Sequence, residues 1–400
     1  MRIGRTLPPA ASPVPLSDIL RAMPACFQPD HYNQFFEQEV KEYFNSKYCF
    51  FVSSGKAALT IILQSLRKIN PQATQIVLPA FTCYSVAAAA KRAGLQIRLC
   101  DLAPDALELD LCQLKKIIRA DKKKKILCVL ATHLFGCPAD VAAIRSILDR
   151  DIPIIEDAAQ AMGETDGHKK LGTLGEAGFF SLGRGKALST MEGGIILTNQ
   201  DDVAKQIVSI IATLPDYRVT DALKLACKTI LTTILQLPSL FWLPLALPFL
   251  RLGETLYEPD FPIRKLSSYH MRLARNWQER LGHHRSARLK NIAYWQNVLP
   301  APMLSLCRET KCSLVRLPVI TPNIEVRSRV LRQSKRWGLG IMPAYPTPIN
   351  KIPDLEKDFS GQEYPIAEDI CNRLLTIPVH EYVGQVDNEH ILSIFKCNSI

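Results

Sequence analysis

Four hundred residues, 47% apolar and 22% charged, exceed what one compact core usually holds and are too apolar to remain disordered. The formal charge of +11 favours anionic partners such as phosphates, nucleotides or a lipid headgroup surface. No basic-aromatic motif accompanies that charge, so no nucleic-acid partner is expected, and the run at 122–125 reads as a solvated loop face.

Twelve cysteines show no CxxC pair and no metal-ligand spacing; Cys100 and Cys128 lie inside apolar runs and read as small core residues in a reducing compartment. The N-terminal stretch MRIGRTLPPAASPVPL has no apolar h-region, so no secretory signal is read there. A cytoplasmic protein with no metal site is expected.

From Tyr48 to Asn199, short apolar runs alternate with helical patterns. The candidate strands are 48–54, 76–80, 96–102, 126–134, 152–158, 177–182 and 193–199; amphipathic segments at 57–67, 86–93 and 139–148 separate several of them. Continuous apolar strands divided by helices predict a mainly parallel seven-stranded sheet covered on both faces. Ligands of such sheets bind beyond the carboxyl ends of the strands. A helical stretch over 267–298 then leads, past the Pro-containing turn at Leu299–Pro302, to a smaller α+β portion. The reading divides the chain into 1–265, a large domain with an apolar insertion near 222–255, and 266–400.

The insertion holds one unusual segment, Thr229–Leu250, with 22 residues and no charge. Pro238, Pro244 and Pro248 interrupt it, and an interior proline costs a helix about 3 kcal/mol. A membrane span is therefore not expected. What stays open is an apolar hairpin in a membrane interface, flanked by Lys224, Lys228 and Arg251, or burial within the protein or at a dimer contact.

Three stretches carry chemistry. At Ser53-Ser54-Gly55-Lys56 a strand ends and a helix begins, and the free N–H groups of such a helix start suit a phosphate. At Glu156-Asp157-Ala158-Ala159-Gln160-Ala161 an acid stands where an apolar strand gives out; a buried carboxylate there requires a cationic partner. The third stretch, Ser181-Leu182-Gly183-Arg184-Gly185-Lys186, places a lysine in a Gly-rich turn after a strand. Burial and the neighbouring Arg184 would both lower its pKa and free the amine for Schiff-base chemistry.

The order of these stretches, with Val77-Leu78-Pro79-Ala80-Phe81-Thr82, His133-Leu134-Phe135-Gly136-Cys137-Pro138, Gly172-Thr173-Leu174-Gly175 and Glu192-Gly193-Gly194, resembles the DegT/StrS-type sugar aminotransferases, of the fold type I class that binds pyridoxal 5'-phosphate. The resemblance implies a homodimer that takes nitrogen from an amino acid, glutamate by analogy, and gives it to a keto-sugar nucleotide in polysaccharide biosynthesis. It further implies that Lys186 carries the cofactor as a Schiff base and moves the proton. Asp157 would pair with the ring nitrogen, Gln160 with the phenolic oxygen, and Ser181 with the backbone at Gly55-Lys56 would hold the phosphate. Cys83 or Tyr84 would touch the ring. Two alternatives are a sugar dehydratase, whose known relatives lack the lysine, and a non-catalytic scaffold. The sequence departs from the family at Lys56, where Thr is usual, at Phe261-Pro262-Ile263-Arg264-Lys265 in place of Gly-Tyr-Asn-Tyr-Arg, and at Pro348-Ile349-Asn350 in place of Pro-Leu-His.

Overall fold

The computed structural model describes residues 3–27, 34–149, 151–250, 253, 255–307 and 311–398. All seven apolar runs are strands: β1 (Tyr48–Val52), β2 (Gln75–Pro79), β3 (Gln96–Cys100), β4 (Ile126–Thr132), β5 (Ile154–Asp157), β6 (Ala177–Ser181) and β7 (Gly194–Thr198). They form one sheet in the order β1-β7-β6-β5-β4-β2-β3. Strand β2 runs parallel to β3 and β4, and β5 runs parallel to β4 and β6. Only β7 is antiparallel to its neighbours, β1 and β6. All seven residues of β4 are buried, as a central strand covered on both faces requires.

Helix α1 (Gly55–Ile69) follows β1, and α2 (Tyr84–Arg92) connects β2 to β3. A third helix, α3 (Val141–Ile147), stands between β4 and β5. Ten of the fifteen residues of α1 and six of the nine of α2 are buried, because Ala, Ile and Leu recur through the first and a run of Ala fills the second. Their N-terminal ends meet the carboxyl ends of the parallel strands, where the expected ligand edge lies.

Beyond β7, α4 (Val219–Leu235) carries the first half of the apolar insertion. The helical stretch at 267–298 is not one helix. It divides into α5 (Ser268–Leu273) and α6 (Trp277–Val298), because Asn276 between them takes a left-handed φ of 57°. Asparagine tolerates that conformation better than most residues. After α6, strands β8 (Leu317–Ile320) and β9 (Leu374–Ile377) pair antiparallel over a separate core that includes the fully buried Trp295 and Phe395. The chain start crosses to this second core. Arg5 pairs with Asp387 at 2.6 Å, the Leu7 amide donates to the Gly338 carbonyl at 2.8 Å, and His380 Nε2 donates to the Pro8 carbonyl at 2.8 Å.

Candidate active site

At the end of β5 the side chains alternate, as strand geometry demands. Glu156 points into the protein and Asp157 into a cavity. Glu156 is fully buried and saturated: its Oε1 accepts the Leu174 amide at 2.5 Å and the Gly175 amide at 2.7 Å, and its Oε2 accepts the Gly172 amide at 2.8 Å. His133 completes the set at 2.9 Å through Nε2. Because His133 Nδ1 accepts the Ala139 amide at 3.0 Å, the ring proton sits on Nε2 and donates to the carboxylate. The Gly172–Gly175 and His133–Ala139 turns, both singled out in the sequence, are thus fastened to one carboxylate. Glu156→Gln leaves N–H groups facing an amide nitrogen, and should destabilise the fold by roughly 3–5 kcal/mol; the thermal unfolding midpoint reads this, and an unchanged midpoint would disprove it.

The cavity measures about 260 Å³ and is lined by Ser54, Gly55, Lys56, Cys83, Thr132, His133, Asp157, Gln160, Ser181, Lys186 and Tyr345 among others. The side chain of Asp157 is buried, accepts the Ala159 amide at 3.0 Å and has no ion pair among the described residues. Burial raises its pKa, opposed by the Ala159 amide and by the charges of Lys186 and His133. Lys186 is held in the opposite sense. Burial lowers its pKa, Cys83 and Asp157 oppose the shift, and Arg316 adds to it. Arg184, expected to supply that neighbouring cation, is exposed instead.

Lys186 is positioned through its backbone. Its carbonyl accepts the Ser12 hydroxyl and, at 3.0 Å, an N–H of Arg288, which also donates to the Ala187 carbonyl at 3.1 Å. Arg288 is fully buried with no acidic partner among the described residues, and burial brings its pKa down to about 10. The phosphate turn has a second close contact. A Cβ added to Gly55 would stand 2.9 Å from Ser181 Cβ, so only glycine lets the start of α1 approach β6 this closely. Ser54 caps α1 by accepting the Ala57 amide at 3.1 Å, and the amides of Gly55 and Lys56 precede the first intrahelical bond.

Gln160 is oriented by the Phe135 amide, which donates to its Oε1 at 2.7 Å; its Nε2 donates to the Tyr345 hydroxyl at 3.3 Å. Phe135 holds a φ of 59° to make that contact, a local strain typical of functional turns.

Two side chains left open by the sequence are placed by their partners. Tyr84 does not line the cavity: its hydroxyl accepts the Thr347 amide at 2.9 Å and bonds the Thr347 hydroxyl at 2.5 Å, which draws the ring aside and leaves Cys83 on the wall. The ammonium of Lys56 is taken by Glu258 at 3.2 Å and sits over the Phe261 ring at 4.8 Å, so its backbone N–H, not its charge, faces the phosphate turn. The stretch replacing Gly-Tyr-Asn-Tyr-Arg continues the sheet edge, with Ser53 and Arg264 exchanging backbone and hydroxyl bonds at 3.0 and 3.1 Å.

Sequence reasoning missed Tyr345, Arg288 and Arg316. Tyr345 is buried with its ring against Phe81 at 5.4 Å, and its only local signal is an aromatic among prolines. The guanidinium of Arg316 lies 5.7 Å from the Phe135 ring centre, within electrostatic reach of Cys83, Tyr345 and Lys186, and no carboxylate pairs with it among the described residues.

Similarity to known proteins agrees with this geometry. The chain is 32% identical over 173 residues to a GDP-4-keto-6-deoxy-D-mannose 3-dehydratase of Yersinia pseudotuberculosis, an alignment covering 42% of this chain and 43% of that protein. It is 29% identical over 173 residues to the L-glutamine:2-deoxy-scyllo-inosose aminotransferase of Streptoalloteichus tenebrarius, covering 43% and 39%. These alignments thus span less than half the length of the curated relatives. The solved structure of the Escherichia coli GDP-4-keto-6-deoxy-D-mannose-3-dehydratase with bound hydrated PLP superposes with a TM-score of 0.76 at 20% identity, over 98% of this chain and 100% of that one; it shows the fold. The sequence pattern of one family matches residues 24–213 and 270–396. The chain belongs to the DegT/DnrJ/EryC1/StrS aminotransferase family.

Proposed function

We propose that this protein is a pyridoxal-phosphate-dependent aminotransferase, moving an amino group from an amino acid to a keto sugar carried on a nucleotide. The carrying observation is that Lys186, Asp157, Gln160, Ser181 and the Gly55 turn converge on one cavity. Three features suit the cofactor. Asp157 is a buried carboxylate with no ion pair among the described residues, ready for a cationic ring nitrogen. The close approach of Gly55 to Ser181 leaves a cradle that a Cβ would fill. Thr132 Oγ1 is buried on the cavity wall without a hydrogen-bond partner.

When bound, the cofactor supplies an aldehyde that takes up nitrogen and a ring that accepts the electrons released at the donor's Cα. Lys186 Nζ would bind it and move the proton at that carbon. Asp157 would keep the ring nitrogen protonated. Gln160 gives one amide hydrogen to Tyr345 and has a second for the ring oxygen. Ser181 and the first amides of α1 would hold the phosphate, and Cys83, on the cavity wall, would face the ring. Arg316, the cation without a carboxylate, receives the carboxylate of the donor. In an α-amino acid that group is one bond from the reacting carbon, so its anchor must stand near Lys186.

Relatives named for a keto sugar on GDP and for an L-glutamine-dependent amination support the nucleotide-borne acceptor and the glutamate-type donor. We infer a homodimer, working in the cytoplasm. The free state of all twelve cysteines fits a reducing compartment.

Protein saturated with the cofactor should be yellow and should bleach with L-glutamate or L-glutamine; borohydride reduction of the yellow form, before any donor is added, and peptide mapping should find the label on Lys186. An unlabelled Lys186 would sink the reading, while colour without a donor response would turn it towards dehydration. Two variants probe the assignment. Gly55→Ala forces Ser181 away from the turn, and the Kd for the cofactor should rise about tenfold, the equivalent of a modest overpacking cost; equilibrium dialysis reads it, and unchanged affinity would count against the cradle. Arg316→Gln should raise the KM for glutamate about thirtyfold or more while leaving an amine without a carboxylate unaffected. An equal loss for both amines would show that Arg316 acts on the site in general.

A further inference from the structure

The two stretches that match the family pattern end at residue 213 and resume at 270. The apolar insertion therefore belongs to this chain and not to the shared frame. One side of it is anchored. Ala222, Leu225, Ala226 and Thr229 of α4 are buried, the three apolar ones in a cluster with Ile19, Tyr269 and Leu273. Beyond the helix, the Thr6 amide donates to the Pro238 carbonyl at 2.7 Å, and Gln236 Nε2 donates to the Ala10 carbonyl at 3.3 Å. Pro238 and Pro244 are buried. The other side faces outward and is apolar: Leu231, Ile234, Leu237, Leu247, Phe249 and Leu250 are exposed, Leu231 by 58% and Phe249 by 76%. A patch of this kind on a soluble protein marks an interaction surface.

We propose that this face docks on the surface of an anionic lipid bilayer. Among the described residues no helix is long and apolar enough to cross a membrane, so the contact is interfacial. Its charge pattern fits such a surface. The outward stripe of α4 carries Lys224, Cys227, Lys228, Leu231 and Ile234, cationic at one end and apolar at the other; Lys228 is paired with Glu192 at 2.8 Å, and Lys224 has no ion pair among the described residues. A helix lying in the plane of the interface would bury the exposed Leu231 and Ile234 below the headgroups while the stem of Lys224 reaches back to them. From Ala222 to Gly253 the sequence contains no Asp or Glu.

The same pattern disfavours a second copy of the chain as the occupant. An isologous contact centred on this face brings it against its own twin, and here it would set Lys224 beside its copy with no acid from 222 to 253 to answer it. Anionic headgroups supply the missing charge. A cleft lined by Ser181, Lys56 and Lys224 among others, with Glu192 and Glu258 pairing Lys228 and Lys56, opens beside this helix, so docking would turn the phosphate end of the site towards the bilayer.

The test is co-sedimentation of the full chain with vesicles of phosphatidylcholine containing about one-third phosphatidylglycerol, and with phosphatidylcholine alone. Binding is expected to the anionic vesicles and weakly to the neutral ones. The double variant Leu247→Ser/Phe249→Ser should weaken it about tenfold or more, and Lys224→Glu several-fold, with unfolding midpoints unchanged because all three side chains are exposed. No pelleting with either vesicle, or pelleting that the double variant leaves intact, overturns the proposal. So does sedimentation velocity in which the double variant turns a dimer into monomers, since a second copy would then cover the face. Vesicle binding needs neither cofactor nor substrate, so its failure is separate from failure of the aminotransferase reading.

Discussion

Lys186→Ala should lose transamination by at least about a thousandfold, measured as keto acid released from glutamate in a single turnover. The loss is chemical, because the turn does not depend on the side chain. Ser12 and Arg288 hold the backbone carbonyl of residue 186, and they keep that carbonyl in the variant. The unfolding midpoint of the cofactor-free variant should therefore stay within about 0.5 kcal/mol of the wild type, as substitutions away from a packed or bonded group do. Lys186→Arg should be as inactive, since a guanidinium is always protonated and cannot act as the nucleophile. The wild type should also show a pH signature. Burial holds the Lys186 pKa below its ordinary value of 10.5, and the neutral amine is the reactive form. Cofactor uptake should rise with pH and level off below the range of an ordinary lysine. A variant at position 186 that keeps a tenth of the activity would end the assignment.

What the sequence made legible was set by how local each signal is. Seven strands were readable because a central parallel strand is apolar at every residue, and β4 shows this over its whole length. The three chemical stretches were readable because each sits where a strand gives way to a turn, so backbone direction alone aims Asp157, Ser181 and Lys186 at the same edge. Side chains that choose distant partners were not. Tyr84 looks like a ring-stacking residue until Thr347, 263 positions away, claims its hydroxyl. The ammonium of Lys56, a cation where the family usually has Thr, is neutralised by Glu258, 202 positions away. Arg316, Tyr345 and Arg288 enter the site from beyond α5, with no motif to announce them. The division of the 267–298 helix was hidden for another reason. One left-handed asparagine breaks the rod without altering the helical composition on either side.

Asp157→Asn separates the electrostatic role of the acid from any structural one. The amide keeps an oxygen for the Ala159 N–H, which lies at 3.0 Å in the wild type, so the local fold is preserved and only the charge goes. Without the cofactor that charge is a burden. Its pKa is raised chiefly by burial, so the stability it contributes relative to a neutral residue is present at low pH and lost as pH rises through the raised value. The cofactor-free variant should consequently be no less stable than the wild type at neutral pH, and the gap in its favour should open as pH climbs out of the carboxylate range. With the cofactor the order reverses. A cationic ring nitrogen in a cavity of about 260 Å³ loses its only facing carboxylate, and removing one member of such a charge pair costs about a hundred- to a thousandfold in activity. Spectral titration should show the ring nitrogen deprotonating at lower pH in the variant, a change that a merely structural residue would not produce. A variant that melts early without cofactor, yet keeps its rate and its spectrum once loaded, would show that Asp157 serves the strand and leave the cation at the ring unanswered.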